Sequence, residues 1–391
     1  MELKPGYKQT EVGVIPEDWD ALELEAVCTM KSGEGITASS IDDFSEYPCS
    51  GGNGLRGYTT RFTHDGRFAL IGRQGALCGN VVSAQGKFFA SEHAVVVTPR
   101  AGYDIDYLTY VLGEMHLNRY SESSAQPGLS VSKLLKLPLA APRSEAEQRS
   151  IAMALRNVDA LLGELGNLIA KRRGIKQAAM QELLTGERRL PGFEGEWEVK
   201  RLGDVGEIKS GGTPSTSQGA FWDGGVPWCT PTDITALDGR KYLTTTARTI
   251  SPSGLQASSA EIIPPQSLIM TTRATIGECA INTLPMTTNQ GFKNIVPSPV
   301  VGTEFLYYLM STQKQRLISL CGGSTFLEIG KKELSAYEIR LPLDRAEQDA
   351  ISSILSAMDK ELQALEAILG KAENLKQGMM QQLLTGKIRL Q

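Results

Sequence analysis

Lys176-Gln177-Ala178-Ala179-Met180-Gln181-Glu182-Leu183-Leu184-Thr185-Gly186 returns 200 positions later as Lys376-Gln377-Gly378-Met379-Met380-Gln381-Gln382-Leu383-Leu384-Thr385-Gly386. Upstream, Glu147-Gln148 returns as Glu347-Gln348. Ile151, Leu155, Asp159, Leu162 and Leu165 return as Ile351, Leu355, Asp359, Leu362 and Leu365, with no gap in register. Two such copies predict a pseudo-two-fold internal repeat, so whatever the chain binds comes in two copies or has two halves.

Each copy reads as one long helix. Ser144, with Glu147 three residues on, is a capping-box pattern just after Pro142, and a helix is predicted to open there. Ile151, Leu155, Val158, Leu162, Leu165 and Ile169 step alternately by four and three, the spacing of a coiled-coil seam. Past Arg172 the seam continues through Ile175, Ala179 and Leu183 to Gly186, which suits a left-handed cap. In the second copy Asp344 is the cap. Ile351, Leu355, Met358, Leu362, Leu365, Leu369, Leu375, Met379 and Leu383 form its seam, and Gly386 closes it. At about 40 residues and 1.5 Å per residue, each helix spans about 60 Å. A lone stripe of this kind reads as a core helix of a bundle. Two matched copies are instead predicted to pack on each other, antiparallel, as a rigid spacer.

The chain therefore divides into a first domain over 1–143, a central spacer helix over 144–186, a second domain over 187–343 and a C-terminal spacer helix over 344–391. The two domains are rich in Gly, Thr, Ser and Pro, with short β-branched runs at 81–82, 94–97, 268–270 and 295–296. That pattern predicts mixed α/β (α+β) modules with long loops. They resemble each other loosely: Trp19, Leu24, Val27 and Lys31-Ser32-Gly33 echo Trp197, Leu202, Val205 and Lys209-Ser210-Gly211, and Arg73 sits opposite Arg273. Modules alike at their ends and divergent in their middles suggest one scaffold carrying two readouts. Arg189-Leu190 and Arg389-Leu390 fall at matching junctions, so the chain termini are predicted to lie close in space.

Of the 391 residues, 41% are hydrophobic and 21% charged, ordinary for a globular protein. No apolar run approaches the roughly 20 residues of a membrane span, and the six scattered cysteines contain no Cys-x-x-Cys pair. A cytoplasmic protein with reduced thiols and no metal site is expected. Gly52-Asn53-Gly54-Leu55-Arg56-Gly57 has the letters of a dinucleotide loop, but Tyr47-Pro48-Cys49-Ser50 before it is no hydrophobic strand and Tyr58-Thr59-Thr60-Arg61-Phe62 after it favours strand over helix. There is no P-loop, and Ile263-Pro264-Pro265-Gln266 is not an amino-methyltransferase signature. His64, His93 and His116 are isolated. The chain reads as a binder, not an enzyme.

Several loops dense in polar residues around glycines suit DNA. Arginine reads guanine edges, Asn and Gln read adenine, and Ser, Thr and Lys take phosphates. The candidates are Lys31, Ser32, Asn53, Arg73 and Gln74 in the first domain, and Lys209, Ser210, Thr213, Arg273, Thr275, Asn289, Gln290 and Lys293 in the second. Solvated loops without a ligand are the plain alternative. So is an assembly scaffold whose modules bind protein or glycan, or an enzyme with an unrecognised site. The formal net charge of −4 argues against binding DNA by bulk charge.

The chain resembles the specificity (S) subunit of type I restriction–modification systems. The paired Lys-Gln-x-x-Met-Gln-x-Leu-Leu-Thr-Gly helix ends carry the resemblance, with Gly13-Val14-Ile15-Pro16-Glu17-Asp18-Trp19, Trp222, Pro227-Trp228, Arg273-Ala274-Thr275-Ile276-Gly277, Asn289-Gln290-Gly291-Phe292, Gly323-Ser324 and Leu341-Pro342-Leu343. It implies two target-recognition domains joined by antiparallel helices. Each domain would read half of a bipartite, asymmetric double-stranded DNA site, and the helices would set the gap between the halves. It implies further that two methyltransferase (M) subunits dock on the helices, near Lys176, Gln177, Met180, Gln181, Lys376, Gln377, Met380 and Gln381, and that restriction (R) subunits join. S-adenosylmethionine, ATP and magnesium would belong to those partners, with no cofactor on this chain. A modification enzyme without a separate motor subunit is the variant reading.

Overall fold

The β-branched runs become strands. The computed structural model describes residues 5–52, 54–75, 77–121, 128–321 and 328–390. They form two compact units, Met1–Asn167 with Ala367–Gln391, and Leu168–Glu366.

In the first unit, β1 (Tyr7–Thr10), β2 (Gly13–Pro16) and β3 (Trp19–Glu23) lead into α1 (Leu24–Val27) and β4 (Cys28–Ser32). There follow β5 (Tyr47–Gly51), β6 (Gly54–Thr59), β7 (His64–Gly72), β8 (Val81–Ala90) and β9 (Ala94–Pro99). Helices α2 (Ile105–Glu114) and α3 (Val131–Leu135) and strand β10 (Pro138–Pro142) follow, and then the start of the long helix α4 (Glu145–Thr185). Strands β4-β9-β7-β8-β5-β6 make one sheet, parallel only where β5 meets β8. Along β9, Val95 and Val97 pack under α2 with Tyr107 and Leu108, while Ala94 and Val96 pack with Leu70 and Phe88 on the other face. The strand's two-residue period thus serves two apolar layers, which is why it reads as an unbroken hydrophobic run.

The second unit runs through β11 (Glu198–Arg201), α5 (Leu202–Val205), β12 (Gly206–Ser210), β13 (Trp222–Cys229), α6 (Pro231–Thr235), β14 (Tyr242–Leu243), β15 (Arg248–Ile250) and α7 (Pro252–Gln256). It continues with β16 (Leu268–Met270), β17 (Cys279–Asn282), β18 (Thr287–Thr288), β19 (Lys293–Pro297), α8 (Thr303–Ser311), α9 (Lys314–Ser319) and α10 (Lys331–Ser335). β20 (Glu338–Leu341) and α11 (Arg345–Leu383) end the series. Here the sheet is split into β12-β19-β16-β17-β14 and β15-β13-β18.

Each unit is closed by the start of one long helix and the end of the other. Ile151 and Leu155 of α4 join Leu383 of α11 in the first core; Leu183 and Leu184 of α4 join Ile351 and Leu355 of α11 in the second. Burying each such side chain contributes about 1.5–3 kcal/mol. The helices run antiparallel within each unit. Lys376 meets Asp159 and Arg389 meets Glu147 in the first, while Lys176 meets Asp359 and Arg172 meets Glu361 in the second.

The same locks recur. Gln148, fully buried, donates from Nε2 to the carbonyls of Pro142 and Gly102 and accepts from the Asp104 amide; Gln348 does the same for Pro342, Val300 and Gly302. Tyr110 donates to Asp159 at 2.6 Å and Tyr308 to Asp359 at 2.5 Å. Burial, reinforced by the neighbouring carboxylate, pushes both phenols well above their ordinary range.

Ile175 and Leu375 leave the seam, 41% and 57% exposed, whereas Ala372 turns in. A 3.6-residue helix drifts about 20° per heptad against a 3.5-residue pattern, so a stripe read by sevens rotates off its partner. The capping box is also only half formed. Ser144 Oγ accepts from the Glu147 amide at 3.4 Å, but the Glu147 carboxylate is taken by Arg389. Gly186 and Gly386, at φ of 75° and 69°, do end the helices in the left-handed region. A Cβ on Gly386 would lie 2.6 Å from Pro16, and Tyr7 Oη donates to the Gly386 carbonyl at 3.0 Å. The turn that ends α11 therefore rests on β1 and β2.

Candidate nucleic-acid interface

Most of the second domain's candidate residues converge where β12 and β16 end and β19 begins. Ser210 pairs with Lys293 and Lys209 with Asn294 across the β12–β19 ladder. Gly211 follows so close to Asn289 that a Cβ would lie 1.8 Å from its carbonyl oxygen, which only glycine permits. Thr213 Oγ1 donates to Gln290 Oε1, and the Gly291 amide donates to Asn289 Oδ1 at 2.9 Å. The Thr272 amide donates to the Gly291 carbonyl at 2.7 Å, bringing Arg273 onto the same face. There Arg273 Nη2 lies 2.7 Å from Glu328 Oε2, and Lys293 Nζ 3.8 Å from Glu328 Oε1.

The electrostatics are uneven. The Lys293 side chain is only 9% exposed, and burial pulls its pKa below the ordinary lysine value against the opposing pull of Glu328. Lys209 is offset by Glu261 at 3.7 Å and Glu207 at 3.9 Å. Thr275 stands apart: its hydroxyl is buried and lacks a hydrogen-bond partner among the described residues.

The first unit repeats the backbone with different side chains. The Gly33 amide donates to the Ala94 carbonyl as the Gly211 amide does to Phe292. Val95 and Val96, opposite Ser32 and Lys31, therefore hold the places of Lys293 and Asn294. The expected equivalence of Arg73 and Arg273 fails by one residue. The Leu129 amide donates to the Arg73 carbonyl, as the Ile329 amide does to Thr272. Gln74 accordingly occupies the Arg273 position and bridges to Gly128, as Arg273 bridges to Glu328. The reason is that the chain between the bridged residues is one residue shorter in the first unit (Gln74 to Gly128 against Arg273 to Glu328), so equal spacing in sequence is not equal spacing in the sheet. Lys31 and Gln74 are exposed, Ser32 and Arg73 half-buried. Arg73 makes no ion pair with another described residue. Asn53 lies outside the described residues.

On the helices, Lys176, Met180, Lys376 and Met380 are half-buried against their own units, whereas Gln177, Gln181, Gln377 and Gln381 are exposed. Lys176 and Asp359 line a cleft of about 630 Å³ with Arg173, Arg240 and Glu366. Lys376 and Asp159 line one of about 410 Å³ with Tyr110 and Arg156. No group of His, Cys, Asp or Glu suited to a metal occurs among the described residues, and none of their helices is long and apolar enough to cross a membrane.

The family model of the type I restriction modification DNA specificity domain matches residues 16–171 and 194–376. The chain belongs to this family. It is 47% identical over 146 residues to the type I restriction enzyme EcoprrI specificity subunit of Escherichia coli, covering 36% of each chain. It is 39% identical over 166 residues to the MjaIX specificity subunit of Methanocaldococcus jannaschii, covering 42% of this chain and 38% of that one. In both cases the chain spans little more than a third of the relative's length. The putative MjaX specificity subunit of the same organism is 26% identical over 427 residues, covering 98% of this chain and 97% of that one. In fold, the chain is similar to the crystal structure of a type I restriction–modification system S subunit from M. genitalium. That match has a TM-score of 0.65 at 16% identity and covers 98% of each chain.

Within the specificity-domain family frame, two features escape sequence reading. Glu328 lies 55 residues from Arg273, and nothing local marks it as that arginine's partner. Arg248, whose guanidinium carbon lies 3.8 Å from the Trp222 ring centre and 5.5 Å from that of Trp228, belongs to a support for the Gly211–Thr213 loop. Trp228 Nε1 donates to the Gly212 carbonyl at 2.9 Å, fixing that loop from below.

Proposed function

We propose that each unit reads one half of a bipartite, asymmetric double-stranded DNA site, and that the paired helices set the gap between halves. The observation that supports this most is the contrast between repeated locks and unlike loops. Gln148 and Gln348, Asp159 and Asp359, Glu147 and Glu347 make matching contacts. Over the same backbone, Gln74, Gly128 and Val95 replace Arg273, Glu328 and Lys293. A scaffold duplicated for symmetry with divergent polar loops suits partners that come in pairs and a ligand whose halves differ.

Two methyltransferase subunits dock on the helical faces in this reading, with Gln177, Gln181, Gln377 and Gln381 exposed there. Restriction subunits complete the assembly. S-adenosylmethionine, ATP and magnesium are held by those partners, and this chain contributes specificity. Methylome sequencing of cells carrying the chain with its cognate methyltransferase tests the proposal. A gapped, asymmetric methylated motif is the expected result, and methylation at a continuous or random site would refute it.

A further inference from the structure

The Arg273–Glu328 pair sets a hydrogen-bond donor beside an acceptor, 2.7 Å apart, with the two side chains 45% and 36% exposed. The two residues face each other across an antiparallel backbone bridge, and the neighbouring bonds from Thr272 to Gly291 and from Ile329 to Thr272 fix both strands. One guanidinium nitrogen is used by Glu328, leaving further N–H groups on Arg273. The carboxylate keeps free lone pairs, since Lys293 Nζ stays 3.8 Å away.

The major-groove edge of a G·C pair is the complement of such a pair of side chains. Guanine offers two acceptors, N7 and O6, and cytosine offers the N4 amino donor beside them. We propose that Arg273 and Glu328 together read one G·C base pair of the half-site taken by the second unit, with Arg273 donating to guanine and Glu328 accepting from cytosine N4. This inference rests on the DNA-recognition reading above and adds to it a base-reading carboxylate and the identity of one base pair.

Three further observations favour it over a plain surface ion pair. A carboxylate near DNA is repelled by phosphates, but Lys293 and Arg273 flank Glu328 and leave the trio with a net positive charge. The Lys293 stem is buried to hold that second cation in place, although an exposed ion pair by itself stabilises a fold very little. Ala274, next to Arg273, sits in the left-handed region at φ 57°, where the equivalent residue of the first unit is Gly75 at φ 85°. A non-glycine residue kept in that conformation beside a polar cluster is strain of the kind functional sites retain. In the first unit, Gln74 and Gly128 cannot make this arrangement, so the two units read different chemistry.

The test is the methylation profile of cells expressing the full chain with its cognate methyltransferase, for the natural sequence, Glu328→Gln and Arg273→Gln. The natural chain is expected to require a G·C pair at one position of one half-site. Both variants are expected to lose preference at that position by about tenfold or more while keeping the others. Methylation confined to the natural motif in both variants would overturn the inference. Relaxation in Arg273→Gln but not in Glu328→Gln would overturn the paired reading, leaving Glu328 as a clamp on Arg273. If the natural chain directs no sequence-specific methylation, the DNA-recognition reading itself fails.

Discussion

The Arg389 guanidinium grips the Glu147 carboxylate at 2.5 and 2.8 Å, joining the tail behind α11 to the first turn of α4 across 242 residues. Arg189 and Glu347 make the same grip in the second unit at 2.6 and 2.8 Å. Each carboxylate is nearly inaccessible and is held by that arginine, and Glu347 also accepts from Trp197 Nε1 at 3.4 Å.

Arg389→Ala is expected to destabilise the first unit by about 3 kcal/mol, because it strands a buried carboxylate. Thermal unfolding measures this, and adding Glu147→Gln should recover part of the loss. An unchanged midpoint in Arg389→Ala would show that the grip contributes nothing.

Acid should loosen the same junction. Hydrogen bonds from Arg389 to Asp18 and from Arg143 to Asp20 hold both carboxyls below their ordinary value of 3.8. A carboxylate whose folded pKa is depressed stabilises the fold above its unfolded pKa and loses that contribution as pH falls through the folded one. Stability should therefore decline below about pH 4, and less steeply in Asp18→Asn with Asp20→Asn. Equal acid profiles would count against these pairs.

Gln348→Ala is expected to cost about 2–4 kcal/mol, since it leaves the carbonyls of Pro342 and Val300 and the Gly302 amide without the buried side chain that joins them. Hydrogen exchange should report faster opening of α8 and the start of α11, with the first unit unaffected. Uniform acceleration in both units would contradict this.

At a net charge of −4, the chain alone should bind duplex DNA weakly, because phosphate neutralisation supplies most of the affinity. Adding the methyltransferase should raise affinity and steepen the salt dependence. Titrations at several salt concentrations decide it, and identical slopes with and without the partner would refute it.

Deleting one heptad from each long helix, about 10 Å of rise, should change the gap tolerated between half-sites while the bases read stay the same. Methylome sequencing of the deletion variant reads both quantities. An unchanged gap would remove the spacer role.

The residues themselves fixed the broad plan. A gapless repeat of Gln, Asp, Lys and Leu at matching positions demanded two like helices, since helical periodicity is a local property legible from spacing. Gly186 and Gly386 marked their ends because positive φ excludes most other residues there. The specificity-domain family was likewise legible, in motifs spread along most of the chain. What only the folded chain decided was partnership at a distance. That Glu147 serves Arg389 instead of its own cap, that Gln74 and not Arg73 matches Arg273, and that Glu328 stands between Arg273 and Lys293 all depend on loop lengths and strand register. A slip of one residue in a strand exchanges one face for the other, and no local pattern records which register the completed sheet adopts.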